Sequence, residues 1–224
     1  MQYNTPMNAQ KIKSLVFRYI LFLIGLFIAS LGVAFSTKAG LGTSPVASVP
    51  YSVSLLLKFL SFGMWLNVLS VIQITVQILI LRKNCNWFEI IIQTILAFVY
   101  GYLTNFSCWL IRDIHVSAYW QQFLLLIASC FILGFGIWIQ FKGGVAMLPG
   151  EAMNRAISSV TKFKYENIKI FFDVFYIVVS VVICLIFFRE LKGVREGSII
   201  AAISIGFIIK LFNFIYNRII GTEK

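Results

Sequence analysis

Two lysines lie inside otherwise apolar sequence, and each is followed by glycines and then by a proline. Lys38 begins the segment KAGLGTSP, and Lys142 begins the segment KGGVAMLP. We call residues 40–44 the first break and residues 144–148 the second break. Proline favours the first turn of a helix, and the free N–H groups of a helix N-terminus beside an ammonium group attract an anion. The two lysines therefore predict an anion site, unless each extends to a membrane surface and anchors a helix there.

Two acidic residues follow the second break, and each lies four residues from a basic residue. Glu151 precedes Arg155, and Asp173 follows Lys169. Residues spaced by four lie on the same face of a helix, so each pair can form an ion pair within its helix. The alternative is functional, because an acid within a membrane segment is costly and usually serves a proton, ion or substrate path.

The other candidates are small or polar residues in the breaks and in the apolar stretches. The glycines supply positive φ or close helix approach, and the amides either line a path or bond neighbouring helices. The predicted substrate-binding residues are Lys38, Gly40, Ser44, Lys142, Gly144, Glu151 and Arg155. The predicted coupling or polar-path residues are Asp173, Asn67 and Asn105, with Gln73, Gln77 and Gln93 as further amides.

The chain lacks the residue patterns of the common enzyme classes. It has one histidine, His115, and four cysteines that are far apart in the sequence. No nucleophile–base pair, zinc-protease motif or glycine-rich phosphate loop is present, and a zinc site would have almost no ligands. We therefore expect no enzymatic activity, no catalytic residue, no metal and no cofactor.

The composition places these candidates in a membrane protein. Of the 224 residues, 60% are hydrophobic and 12% are charged, which is too little polar surface for a soluble domain of this length. A membrane-spanning helix needs about 20 mainly apolar residues. The stretches that qualify lie near 19–35, 65–81, 88–111, 119–141, 170–188 and 198–216, whereas the shorter stretches 45–60 and 149–160 do not clearly qualify.

The two halves of the chain repeat one design. A shift of 104 residues aligns Gly32–Ser48 with Gly136–Ala152 without a gap, so that the two lysines and the two prolines coincide. Farther on, a shift of 108 residues aligns Leu103–Phe106 with Leu211–Phe214. The predicted division is a basic cytoplasmic segment at 1–16, a first repeat at 17–112 and a second repeat at 113–224, within one membrane domain.

The short helix after each break decides the topology. If it does not cross the membrane, each repeat has three crossings and the second repeat is inverted; if it crosses, each repeat has four and the repeats are parallel. The six-crossing arrangement puts more lysine and arginine in cytoplasmic loops. We therefore predict an all-α polytopic protein of two inverted repeats, each with three transmembrane helices and a short re-entrant or broken helix, with both termini in the cytoplasm.

Several motifs in this order resemble the YczE/YyaS/YitT family of bacterial integral membrane proteins. They are the K-x-G-L-G-x-x-P break, the second break G-x-x-x-x-P-G-E, the FFDV segment and the final segment GSIIAAISIG. The resemblance extends over residues 19–215 and implies a helical fold in a bacterial cell membrane, without a substrate. The family pattern has an acid after both prolines, whereas this chain has Glu151 in the second repeat and Ala47 in the first. Asn105 stands where Asp is frequent, and Lys210 where glycine is common.

Broken helices in repeated membrane proteins commonly meet at a substrate site. We therefore expect a multi-pass inner-membrane transporter or channel for a small, anionic solute, with its central site between the two breaks. The alternatives are a non-transporting accessory or scaffold protein and a substrate-capture subunit of a larger transporter. The expected partners are membrane lipids and a small-molecule or ion substrate, with a homodimer left open. The net charge of +11 lies mostly in loops, which favours attraction to anionic lipid over nucleic acid binding.

Overall fold

The computed structural model describes residues 9–191 and 193–220, and within this part the protein is helical and has no strand. The first half contains α1 (Ala9–Ala39), α2 (Pro45–Leu56), α3 (Phe62–Leu81) and α4 (Trp87–Leu110), with a 3₁₀ turn at Arg82–Asn84. The second half contains α5 (Tyr119–Gly143), α6 (Pro149–Val160), α7 (Tyr165–Phe188) and α8 (Glu196–Ile220). The protein is therefore all-α, as the sequence predicts.

Six of these helices, α1, α3, α4, α5, α7 and α8, are long and apolar enough to cross a membrane. The other two, α2 and α6, have 12 residues each. Twelve residues extend about 18 Å, which is less than the hydrocarbon core of about 30 Å. The chain is thus a multi-pass membrane protein in which α2 and α6 are too short to span.

Backbone signals at the two breaks explain why these helices begin and end there. Gly144 has a φ of 58° and ends α5 in the left-handed conformation, with its N–H bonded to the carbonyl of Gln140 at 3.0 Å. Pro45 and Pro149 occupy the first helical positions of α2 and α6, where a missing N–H costs no hydrogen bond. The residues that interrupt each apolar run therefore also start the short helix after it.

The centre of the protein is the contact between α1 and α5, which run antiparallel. A Cβ on Gly32 would lie 2.7 Å from the Cα of Leu133, and a Cβ on Gly136 would lie 2.8 Å from the Cα of Ala29. Farther back along α1, the Arg18 Nε donates to the carbonyl of Gly143 at 2.9 Å. Only small residues allow two helix backbones to approach so closely.

The remaining helices exchange partners between the halves. Helix α2 packs on α7, and α6 packs on α3, while α1 contacts α4 and α5 contacts α8. Buried hydroxyls join α2 to α7, with Ser52 and Ser180 at 2.6 Å and the Ser180 Oγ donating to the carbonyl of Ser48 at 3.1 Å. Each short helix is therefore held mainly by a long helix of the other half.

Candidate functional site

A cavity of about 380 Å³ lies halfway along the long helices, and we call it the central cavity. Its wall includes Ala29 of α1, Leu133 of α5 and Ala97 of α4, all near the middle of their helices. Both short helices point their N-terminal ends at it: Ser44 and Pro45 line it from one side, and Pro149 and Gly150 from the other. The two breaks therefore end at one shared space inside the protein.

The charged residues of the central cavity come from α6 and α7. Glu151, Asp173 and Lys169 all line it. The Lys169 Nζ lies 3.7 Å from a carboxylate oxygen of Asp173, one turn away on the same helix. The carboxylate of Glu151 has no hydrogen bond or ion pair with any residue in the described part of the chain. The cavity thus contains one paired acid and one unpaired acid.

Glu151 lies in the first turn of α6, where the helix N-terminus favours a negative charge. Burial nevertheless raises the pKa of Glu151 above its ordinary range, while Lys169 and Arg155 act in the opposite direction. Desolvation is the larger of these effects, so the carboxyl group is held closer to its neutral form than a glutamate in water.

Further polar side chains line the central cavity. The Gln73 Nε2 donates to the hydroxyl of Tyr176 at 2.9 Å, which joins α3 to α7. Asn154 is only 6% exposed, and its Oδ1 has no hydrogen-bond partner among the described residues. A buried acceptor without a partner is costly, so a group that donates to it would stabilise the protein.

A second cavity of about 700 Å³ lies beside the second break, and we call it the vestibule. It lies between residues 144–147 and the start of α4, with Tyr19 near the beginning of α1 at its edge. Gln140 and Phe141 line both the vestibule and the central cavity. These two residues therefore form the partition between the two spaces.

The vestibule also contains polar groups without partners. Gln77 and Gln93 are each 5% exposed, and the Oε1 of each has no hydrogen-bond partner within the described residues. Glu89 and the exposed Arg155 line the same space. The vestibule therefore combines apolar and polar groups, and it lies on the side of the protein where α1 begins.

The first break is closed where the second is open. Leu41 and Thr43 are fully buried, and the Gly197 N–H of α8 donates to the carbonyl of Leu41 at 2.9 Å. The hydroxyls of Ser36 and Thr43 are 2.8 Å apart and buried. A Cβ on Gly42, whose φ is 106°, would lie 2.8 Å from the Arg195 nitrogen. Backbone contact with the start of α8 therefore seals this side.

Along one side, the central cavity lies between α7 and α8. Within the described residues these two helices do not pack along their length, whereas the matching pair α3 and α4 does. Gly206 of α8 lines the cavity, and a Cβ there would meet no atom within 4 Å. The cavity is therefore less enclosed between α7 and α8 than on its other sides.

The structure brings some of the predicted site residues together in the central cavity and places the others elsewhere. Ser44, Glu151 and Asp173 line the central cavity, while Gly144 and Arg155 line the vestibule. Glu151 was predicted to bind substrate and Asp173 to serve coupling, but both line the central cavity. The two predicted roles therefore do not correspond to two separate sites.

The two lysines lie outside both cavities. The Lys38 Nζ donates to the carbonyl of Arg112 at 2.7 Å, in the segment that joins the two halves. The Lys142 Nζ lies 3.7 Å from the centre of the Tyr216 ring and 5.7 Å from that of Trp138. This placement fits the alternative in which each lysine anchors a helix. The Lys38 ammonium donates to a carbonyl and the Lys142 ammonium lies near aromatic rings, both close to helix ends.

Three other predicted residues also lie away from the central cavity. Gly40 is exposed at the end of α1. Asn105 accepts from the Gly63 N–H at 2.8 Å and donates to the Ser61 hydroxyl at 2.7 Å, so it fixes the start of α3. Asn67 is buried against Gly101, where a Cβ would overlap its Oδ1. Both asparagines therefore lie in the interface between α3 and α4.

Sequence reasoning did not select Asn154, Tyr165, Tyr176 or Tyr100, which all line the central cavity. Asn154 could have been found, because it lies three residues after Glu151 and thus on the same helix face. The tyrosines had no such signal, since aromatic residues are frequent throughout the chain.

The chain is similar to known proteins over most of its length. Residues 16–214 match the family described as "Family of unknown function (DUF6198)". The chain is 24% identical over 146 residues to the "Uncharacterized protein YyaS" of Bacillus subtilis (strain 168), and the match covers 65% of this chain and 70% of that protein. No solved structure matches the chain. The resemblance to YyaS-like proteins expected from the sequence motifs is thereby confirmed.

Proposed function

The chain belongs to the family of unknown function DUF6198, and we propose that it transports a small polar solute by giving the central cavity access to one membrane side at a time. The observation that carries this proposal is the central cavity itself, halfway along the spanning helices and lined by the ends of both breaks. A water-filled or ligand-filled space is where irregular backbone is tolerated at membrane depth.

The proposal includes two inverted repeats related by a pseudo-two-fold axis near the contact of α1 and α5. Its support is that α1 and α5 run antiparallel although they are equivalent in the sequence repeat. The exchange of partners, α2 with α7 and α6 with α3, is also the pattern that such an axis produces. Transporters of this design commonly bind substrate where their broken helices meet.

The vestibule and the closed first break give the proposal a direction. The cavity wall at Gln140 and Phe141 separates the central cavity from the vestibule, while Leu41 is sealed against Gly197 on the other side. With the termini in the cytoplasm, the vestibule opens to the cytoplasm of a bacterial inner membrane. Transport requires the reverse state, in which the second break closes and the first opens.

The charge of the solute is proposed from the residues that line the cavity. An anionic solute was expected because of Lys38 and Lys142, but neither lines it. The cavity has the carboxylates of Glu151 and Asp173 and the single ammonium of Lys169, so its net charge is negative when all three ionise. The proposed solute is therefore polar and not an anion, and the proposed activity is non-enzymatic.

The test is solute release from liposomes that contain the purified protein. The liposomes are loaded with phenyltrimethylammonium, benzenesulfonate and glycine, and the retained amount of each is measured over time. Transport of the proposed solute predicts faster release of phenyltrimethylammonium or glycine than from empty liposomes, with benzenesulfonate retained. Release equal to that of empty liposomes for all three probes would contradict the proposal and favour an accessory protein or a capture subunit that needs other components.

A matched pair of variants at Gly206 checks that any release uses the central cavity. Because a Cβ at Gly206 meets no atom within 4 Å, Gly206→Ala is expected to fold and to release solute as the wild type does. Gly206→Trp is expected to fill part of the cavity and slow release. Unchanged release by a folded Gly206→Trp protein would place the path elsewhere.

A further inference from the structure

The unpaired carboxylate of Glu151 distinguishes the central cavity from an ordinary polar space. Asp173 has Lys169 as its partner at 3.7 Å, but the Glu151 carboxylate has neither a hydrogen bond nor an ion pair in the described part of the protein. Arg155, one turn farther along α6, is exposed and lines the vestibule, where water weakens its interaction with Glu151. Ionising a half-buried carboxyl group without a partner is costly, so a cation at Glu151 would stabilise its ionised form.

A second, independent group favours the same kind of ligand. Asn154 lies three residues after Glu151 on α6, and its Oδ1 is a buried acceptor without a partner in the described residues. A ligand that donates hydrogen bonds to both acceptors satisfies both. A primary ammonium group, like that of lysine, has three hydrogen-bond donors and no acceptor. An ionised carboxylate or phosphate has only acceptors, so it could not donate to Glu151 or Asn154.

Aromatic rings line the same cavity as these acceptors. Tyr165 at the start of α7, Tyr100 of α4 and Phe141 of α5 line the central cavity together with Glu151. Ring faces attract cations within about 6 Å of the ring centre, most strongly where water is excluded. They also bury apolar substituents, and the gap between α7 and α8 extends this apolar surface toward the lipid.

We infer that the central cavity binds a small organic ammonium ion, with its charged group at Glu151 and Asn154. Its apolar substituent lies against the rings of Tyr165, Tyr100 and Phe141. The inference rests on the proposed function, since it names the class of solute that this cavity takes. The cavity volume of about 380 Å³ is within the usual range for small-molecule sites, about 300–1,000 Å³. Lys169 also acts on Glu151, but the Asp173 carboxylate 3.7 Å from its Nζ offsets part of that positive charge.

The test is binding of two matched probes to the purified protein in lipid nanodiscs, measured by fluorine NMR. 4-Fluorobenzylammonium and 4-fluorobenzoate have similar size and opposite charge, and empty nanodiscs correct for partition into lipid. The ammonium is expected to bind at least about tenfold more tightly, which corresponds to about 1.4 kcal/mol. Equal affinity, or tighter binding of the benzoate, would overturn the inference.

Two carboxylate variants assign the charge. Glu151→Gln is expected to weaken ammonium binding at least about tenfold and to leave benzoate binding unchanged. Glu166→Gln is the matched control, because Glu166 is exposed in the first turn of α7 and does not line the cavity. Wild-type affinity for the ammonium in a folded Glu151→Gln protein would also overturn the inference. If sodium displaces 4-fluorobenzylammonium at equal concentration, the claim that the ligand is organic would be wrong.

Asn154→Leu keeps the test decisive if Glu151→Gln does not fold. It removes the buried acceptor without changing the charge, and it is expected to weaken ammonium binding about three- to tenfold. An unchanged affinity would contradict the site. Ammonium binding without release of any probe from liposomes would remove the proposed transport and keep the site. Release of glycine without ammonium binding would remove the site and keep the proposed transport.

Discussion

The two breaks have equivalent positions in the sequence repeat but opposite packing. The first break is buried from Leu41 to Thr43, the Thr43 hydroxyl bonds that of Ser36, and the Leu41 carbonyl accepts from the Gly197 N–H at the start of α8. The second break is half-buried and apolar at Val145, Ala146 and Met147, which line the vestibule. Equivalent backbone geometry can therefore close one side of the protein and leave the other side open.

The helices that follow the breaks differ in the same direction. In the first half, a Cβ on Gly63 would overlap the carbonyl oxygen of Gly101, so α3 and α4 touch at their backbones. A shift of 106 residues pairs Asn67 with Asp173 and Gly63 with Lys169. Charged side chains of α7 thus stand where Gly63 and Asn67 join α3 to α4, and α7 and α8 do not pack in the same way.

The two halves of the chain therefore contribute different features to the cavities. The first half contains the close contact of α3 with α4, and the second half contributes the unpaired acid, the paired acid and the open break. The same asymmetry appears at the helix starts, because the shift of 108 residues pairs Gly197, which has no room for a Cβ beside Leu41, with Glu89 in the vestibule. Closure of the vestibule therefore cannot reproduce the backbone contact of the first break.

The largest predicted effect comes from adding one methyl group to each break. Gly42→Ala forces a side chain into a φ of 106° and against the Arg195 nitrogen, so it is expected to lower the free energy of unfolding by about 3 kcal/mol or more. Gly144→Ala, at a φ of 58°, meets mainly the end of the Arg18 side chain and is expected to cost about 1 kcal/mol. Thermal unfolding in detergent measures both, and equal losses would contradict the comparison of the breaks.

The second prediction concerns the two helix pairs. Gly101→Ala places a methyl group against Asn67 and the carbonyl of Gly63, and about 2–3 kcal/mol of stability should be lost. Gly206→Ala in α8 meets no atom within 4 Å and should be neutral or stabilise the helix by about 0.5–1 kcal/mol. A destabilised Gly206→Ala protein would mean that α8 packs as tightly as α4.

The helical fold and its interruptions were predictable because they follow from local chemistry. Long apolar stretches identify the six spanning helices, and glycine with a left-handed φ followed by proline marks each break. The expectation that α2 and α6 are too short to cross also follows from their length alone. The contact of α1 with α5 was not predicted, since no local signal joins residues more than 100 positions apart.

The site was predictable only in part, because a sequence gives the type of a residue but not the wall on which it lies. Glu151 and Asp173 were selected as costly acids, and they do line one cavity. Lys38 and Lys142 are equally unusual in apolar sequence, yet their long side chains reach the Arg112 carbonyl and the Tyr216 ring. The reach of a lysine, several bonds beyond its backbone, made its position the least predictable.

The third prediction tests the polar contact that closes the first break. Thr43→Val keeps the shape of the side chain but leaves the buried hydroxyl of Ser36 without this partner, at a cost of about 1–2 kcal/mol. The equivalent residue in the second break is Met147, and Met147→Leu should change stability by less than about 0.5 kcal/mol because that side chain lines an open space. Chemical denaturation of both variants gives the comparison.

A smaller effect is expected from pH. Because burial raises the pKa of Glu151, the folded protein holds this proton more tightly than the unfolded chain does. Its contribution to stability is complete below the ordinary glutamate pKa of about 4.3 and is lost as pH rises through the folded value. The unfolding temperature of the wild type should therefore fall relative to that of Glu151→Gln as pH rises. The charged and titratable groups near Glu151 are Arg155, Lys169, Asp173 and Tyr165.

If the unfolding temperatures of the wild type and Glu151→Gln differ by the same amount as pH rises from about 4.3, Glu151 keeps an ordinary pKa in the folded state. Glu166→Gln, at an exposed position, serves as the control and should show no such trend.

The difference between the closed first break and the open second break is tested most directly by labelling cysteines at equivalent positions of the two breaks. In a protein whose own cysteines, Cys85, Cys108, Cys130 and Cys184, are replaced, Thr43→Cys and Met147→Cys are exposed to a membrane-impermeant maleimide. Reagent is added in turn to each side of the membrane. Thr43 is fully buried, whereas Met147 lines the vestibule.

Met147→Cys is predicted to react at least about tenfold faster than Thr43→Cys, and only from the side on which α1 begins, because a buried thiol must await local opening. Equal rates at the two positions, or faster reaction of Thr43→Cys, would contradict the account.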